Sequence, residues 1–139
     1  MLEPFQTHEV FNQSPPFQDV NLFTTDTALL EAVEREGAAA AVPQLQHFGQ
    51  TCGSAEALEQ ARLANENPPR LLRFDATGER LDVVEFHPAY HALMAISIGQ
   101  GLHASAWDHL ASGQTKRRAG ASVERSAGCY LANQMEAGH

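Results

Sequence analysis

The chain has 139 residues, 43% hydrophobic and 19% charged, a composition that suits one folded domain and excludes a disordered polymer. Its formal net charge is −8, with nine Lys and Arg against seventeen Asp and Glu. That balance argues against a general nucleic-acid surface, which needs cationic side chains to neutralise phosphates.

The two cysteines, Cys52 and Cys129, lie far apart and outside any CxxC pair. They form neither a disulfide framework nor a closely spaced metal set. Unpaired thiols of this kind predict a reducing, cytoplasmic setting. Met1 to Val10 carries Glu3, His8 and Glu9 in place of an apolar core, so no secretory signal is expected. No apolar run reaches the roughly 18 residues a spanning helix needs, so no membrane partner is expected either.

In chain order, residues 1–24 hold Pro4, Pro15, Pro16 and several amides without helical period, and read as an extended arm lying against something larger. Thr24-Thr25-Asp26 offers a helix N-cap, because a short side-chain oxygen can accept an orphan backbone N–H. The helix it opens runs to about Glu36, with Leu29, Leu30 and Val33 inward and Gly37 as its stop. A second helix starts at Pro43, carries Leu45 and Phe48 on one face and ends near Gly53. Ser54 caps a third, with Leu58, Ala61, Arg62 and Asn65 at helical spacing, closed by Asn67-Pro68-Pro69.

Period-two character then appears in Leu71 to Phe74 and Leu81 to Phe86, on either side of Asp75-Ala76-Thr77-Gly78. Aspartate and glycine suit a tight reversal, which predicts a β-hairpin. Two isolated strands are marginal in water, so the hairpin is expected to pack on helices. Pro88 fits a first helical position. From Ala89 to about Leu102 apolar residues (Tyr90, Leu93, Met94, Ile96, Ile98, Leu102) cover more than one face, as in a helix buried inside a bundle. A short helix around Trp107 and Leu110 stops at Gly113, and a last one aligns Val123, Ala127, Leu131 and Met135, with Tyr130 beside them. The fold class is mainly α, five or six helices plus a hairpin near residues 71–86, with the helical domain covering 25–139.

Chemistry-bearing patterns are sparse. His87 and His91 stand one turn apart, a spacing that can hold a metal, but no third ligand is near; capping by His87 and a hydrogen bond within the bundle for His91 is the plainer reading. The charges Arg70, Arg73, Asp75, Glu79, Arg80, Asp82 and Glu85 suit cross-strand ion pairs, with Arg73 or Arg80 as an alternative anion site. Lys116-Arg117-Arg118 reads as a solvated helix start, and Trp107 as a core anchor. No glycine-rich phosphate loop and no Ser or Cys nucleophile motif is present.

Several longer runs are more distinctive. Gln6-Thr7-His8-Glu9-Val10-Phe11-Asn12-Gln13 opens the chain; Arg62-Leu63-Ala64-Asn65-Glu66-Asn67-Pro68-Pro69 and Leu71-Leu72-Arg73-Phe74-Asp75 follow. Gly78-Glu79-Arg80-Leu81-Asp82-Val83-Val84-Glu85-Phe86-His87-Pro88-Ala89-Tyr90-His91 comes next, and Gln134-Met135-Glu136-Ala137-Gly138 near the end. In this order and spacing they resemble the N-terminal region of AidB-like adaptive-response members of the acyl-CoA dehydrogenase family. The resemblance implies a fragment of a larger FAD flavoprotein, an oxidoreductase acting on CH–CH groups, with a link to DNA alkylation. It also implies a homotetramer, whose cofactor and catalytic base lie in later domains and whose DNA contacts lie in a C-terminal part. No catalytic, FAD-contacting or metal-binding residue is therefore assigned to this chain, and no FAD is expected on it alone; its partners would be the remaining domains and the oligomer. A helical interaction module without catalysis, and a metal protein using His87 and His91, are the alternatives.

Overall fold

The computed structural model describes residue 7 and residues 11–105 and 107–135. Of the opening run quoted above, Gln6 and His8 to Val10 lie outside them, as does Glu136 to His139.

Helix α1 spans Thr27–Arg35, and Asp26 caps it by accepting the backbone N–H of Leu29 at 2.9 Å. Gly37 ends it at φ +83, a left-handed conformation open to glycine at little cost. Val33 is buried, with Leu29 and Leu30 packed against the core. A 3-10 turn, Ala39–Ala41, leads into α2, Val42–Cys52, with Pro43 in its first turn. Leu45 and Phe48 share the buried face of α2.

Helix α3, Ala55–Glu66, is capped by the Ser54 hydroxyl, which accepts from the N–H of Ala57. Its buried stripe is Ala57, Ala61 and Ala64; of the residues noted at helical spacing, Ala61 is buried, Leu58 is half-buried, and Arg62 and Asn65 face solvent. Small side chains allow closer approach, and α4 takes that place, burying Ala89 and Leu93.

Of the segment read as an extended arm, Phe11 and Phe17 are exposed, whereas Leu22 and Phe23 are buried. Val20 and Leu22 donate their N–H groups to the carbonyls of Gly53 and Gly49 at 3.3 and 3.1 Å. A Cβ on Gly53 would stand 1.9 Å from the Val20 oxygen, and one on Gly49 2.7 Å from the Phe23 nitrogen. The chain can lie along α2 only because these two positions lack side chains.

Helix α4 is Pro88–Gly99, and four-residue α5 is Asp108–Ala111. The last helix, α6, Ala121–Met135, buries Ala127, Gly128, Leu131, Ala132 and Met135 and packs chiefly on α2. The core is thus a helical cluster of α1, α2, α3 and α6, with Phe23, Leu45, Leu131 and Met135 at its centre and α4 on its flank. The fold is mainly α with a short hairpin. Among the described residues, no helix is long and apolar enough to cross a membrane.

Candidate docking face and arginine cleft

Strands β1, Arg70–Phe74, and β2, Arg80–Glu85, pair antiparallel with Leu71 opposite Val84 and Leu72 opposite Val83. The Asp75 carboxylate builds the turn: it accepts the N–H groups of Thr77 and Glu79 at 2.8 and 2.9 Å and the Thr77 hydroxyl at 2.7 Å. These bonds favour the charged form and lower the Asp75 pKa, the Thr77 hydroxyl most. Gly78 completes the reversal at φ +88. A register irregularity lies between Leu72 and Phe74, and across from it Asp82 takes φ 47, unusual outside glycine but tolerated by aspartate.

The expectation that this hairpin packs on helices is not met. Every residue of both strands is exposed, and neither strand packs substantially on a helix. Because successive side chains alternate across a strand, Leu71 and Val84 fall on one face and Leu72, Val83 and Phe74 on the other. Both faces mix apolar residues with charged ones, and both are wet.

Helix α4 departs from expectation in the same sense. Only Ala89 and Leu93 are buried, while Met94 is 38% and Ile98 49% exposed. The helix sits at the flank of the bundle, so one side of an all-round apolar helix is covered and the other is not. Trp107, expected as a core anchor, is 65% exposed beside Leu110 at 56%. Hairpin, outer α4 and the Trp107 region each leave large apolar side chains uncovered.

His87 caps α4, its Nδ1 accepting the N–H of Ala89 at 3.2 Å. His91 is exposed and sits edge-on to the rings of Phe86 and Tyr90 at 5.9 and 5.7 Å, rather than hydrogen-bonding inside the bundle. Phe86 and Tyr90 stack at 4.6 Å, tying the hairpin's exit to the first turn of α4. Among the described residues no three metal-ligating side chains converge.

The hairpin charges pair only in part across the strands. Arg70 meets Glu85 at 3.3 Å, but Arg80 turns to Asp82 on its own strand. The hollow that holds Arg73 and Arg80 is also lined by Asp82. That carboxylate opposes an anion there.

Sequence reading missed a second cleft. Residues from the α4–α5 connection, α5 and the start of α6 enclose about 210 Å³ lined by Ser105, His109, Arg117, Arg118, Glu124 and Arg125, among others. Arg118 pairs with Glu124, and Arg125 donates its Nε–H to the Leu102 carbonyl at 3.1 Å. Lys116-Arg117-Arg118, expected as a helix start, instead forms the loop before α6. A triplet of cations in an acidic chain was the signal. Nothing in the spacing tied it to Ser105 or His109.

Comparison with known proteins supplies what these surfaces do not. The model of the adaptive response protein AidB N-terminal domain matches residues 12–139. The chain belongs to the AidB N-terminal domain family. It is 50% identical over 134 residues to "Putative acyl-CoA dehydrogenase AidB" of Escherichia coli K12, covering 96% of this chain but 24% of that protein. The solved structure of Bd2924 in its apo form superposes with a TM-score of 0.76 at 28% identity, covering 92% of this chain and 25% of that one. The segment therefore spans about a quarter of each relative's length. A flavin does not fit the arginine cleft: about 210 Å³ falls below the roughly 300–1,000 Å³ of sites enclosing drug-sized ligands, and FAD is larger still.

Proposed function

We propose that this chain is the N-terminal helical domain of an FAD-dependent acyl-CoA dehydrogenase-like oxidoreductase, and that its own task is packing and assembly. The observation that carries the reading is the uncovered apolar surface of a segment that matches only 24% of its E. coli relative. A two-stranded ribbon with exposed apolar residues on both faces gains by being clamped between two bodies. Later domains and a neighbouring subunit of a homotetramer would supply them. FAD and the catalytic base belong to those later domains, and no step of the chemistry is assigned to residues of this one.

A cytoplasmic setting and a role in the response to DNA alkylation accompany the family reading. With a net charge of −8, this segment contributes little to phosphate attraction, so DNA contacts are placed on the C-terminal part of the larger protein.

The test compares the segment with a longer polypeptide read through the same frame beyond His139. The longer protein should purify with flavin absorbance and form an oligomer, and the segment should do neither. Leu72→Asp with Val83→Asp in the longer protein should dissociate the oligomer or expose dye-binding apolar surface. Stoichiometric flavin on the segment alone would overturn the assignment.

The same wet surface favours a second reading, an interaction module without catalysis. That reading gains ground only if the frame beyond His139 encodes no β-domain.

A further inference from the structure

The walls of the arginine cleft hold two polar atoms, Ser105 Oγ and His109 Nδ1, that are closed to solvent yet lack a hydrogen-bond partner. Buried polar atoms almost always find partners, so two orphans on residues that line one cleft single that cleft out. Arg117 also lines this space and makes no hydrogen bond or ion pair among the described residues. Arg125 is anchored by its Nε–H on the Leu102 carbonyl, which leaves its terminal N–H groups for another acceptor.

We propose that the cleft binds a small oxyanion, the phosphate group of free phosphate or of a phosphomonoester. Cations prevail there: Arg117, Arg118 and Arg125 stand against Asp108 and Glu124, and Arg118 already neutralises Glu124. Two guanidiniums with uncommitted N–H groups offer the donors that a phosphate's several oxygens accept, more than one carboxylate would use. Such a gathering is not a by-product of composition, because the whole chain has only nine Lys and Arg.

The cleft is also held in shape. Gly120, at φ +75, closes the arginine loop where a Cβ would lie 2.4 Å from the Gly37 carbonyl oxygen. The loop's end is therefore pressed on the turn that follows α1, and its start is fixed by Gly113 at φ +69 after α5.

The test is titration calorimetry on the full natural polypeptide that carries this segment, with inorganic phosphate and glycerol 3-phosphate as probes. Saturable binding in the millimolar range is expected, weakened about tenfold or more by Arg117→Gln with Arg125→Gln. Arg35→Gln, an exposed side chain at the end of α1, should leave it unchanged. Arg117→Gln alone serves if the double variant misfolds, since that exposed side chain makes no hydrogen bond or ion pair among the described residues. Tighter glycerol 3-phosphate assigns the cleft to an ester, and equal affinities assign it to free phosphate. Absent saturation, or affinities untouched by the arginine variants, overturns the site.

Discussion

The α2–α6 half of the molecule and the hairpin–α4 flank use the same kinds of apolar residue to opposite ends. In the first, Phe23, Leu45 and Leu131 are completely buried, and Gly49 and Gly53 let the chain close on α2 without a gap. In the second, Leu71, Phe74, Val83 and Ile98 are about half or more exposed. The contrast shows that hydrophobicity fixes which surfaces must be covered, and topology alone decides whether this segment covers them itself.

That comparison breaks if the two halves respond alike to mutation. Phe23→Ala should cost the most, about 3–5 kcal/mol, measured by denaturant unfolding. Gly53→Ala follows, because its Cβ would meet the Val20 oxygen at 1.9 Å; overpacking of this kind costs about 1–3 kcal/mol. Asp26→Ala should cost about 1 kcal/mol by removing the N-cap of α1, and Asp26 also accepts the Tyr130 hydroxyl at 3.3 Å. Leu72→Thr with Val83→Thr, by contrast, should leave the segment's stability within about 0.5 kcal/mol. A large loss from that pair would mean the hairpin is structural within the segment, and the contrast would collapse.

The smallest effect concerns acidity at the hairpin turn. Asp75 has a lowered pKa in the folded chain, so its hydrogen bonds stabilise the turn above the ordinary aspartate range and are lost as pH falls through the lowered value. The Thr77 and Glu79 amide resonances should therefore shift at a pH below the usual aspartate value of about 3.9. Asp75→Asn should abolish that response. Titration at the ordinary aspartate value would show that the turn is not held this way.

Much of the frame was legible because termini obey local rules. Asp26, Ser54 and His87 cap where short side-chain acceptors precede a helical run, and Gly37 and Gly78 take positive φ where a reversal needs it. Orientation was less legible. An all-round apolar helix such as α4 has the same sequence whether a neighbour comes from its own bundle or from another domain, and Trp107 follows suit. The buried face of α3 was not legible because alanines at close-packed positions carry weak hydrophobic signal beside Leu58. The arginine cleft was invisible for another reason: it joins loop, α5 and α6 through tertiary contacts that no periodicity encodes.

The pairing of α2 with α6 has a consequence for synthesis. The ribosome finishes Cys52 long before Leu131, a fully buried residue of α6 that lies 79 positions later in the chain. At translation speeds of about 5–20 residues per second, the early helices wait roughly 4–16 s for that covering element. During that interval Phe23, Leu45 and Phe48 are greasy, unclosed surface on a nascent chain. Chaperone engagement of stalled intermediates should therefore peak after α2 emerges and drop once α6 clears the exit tunnel.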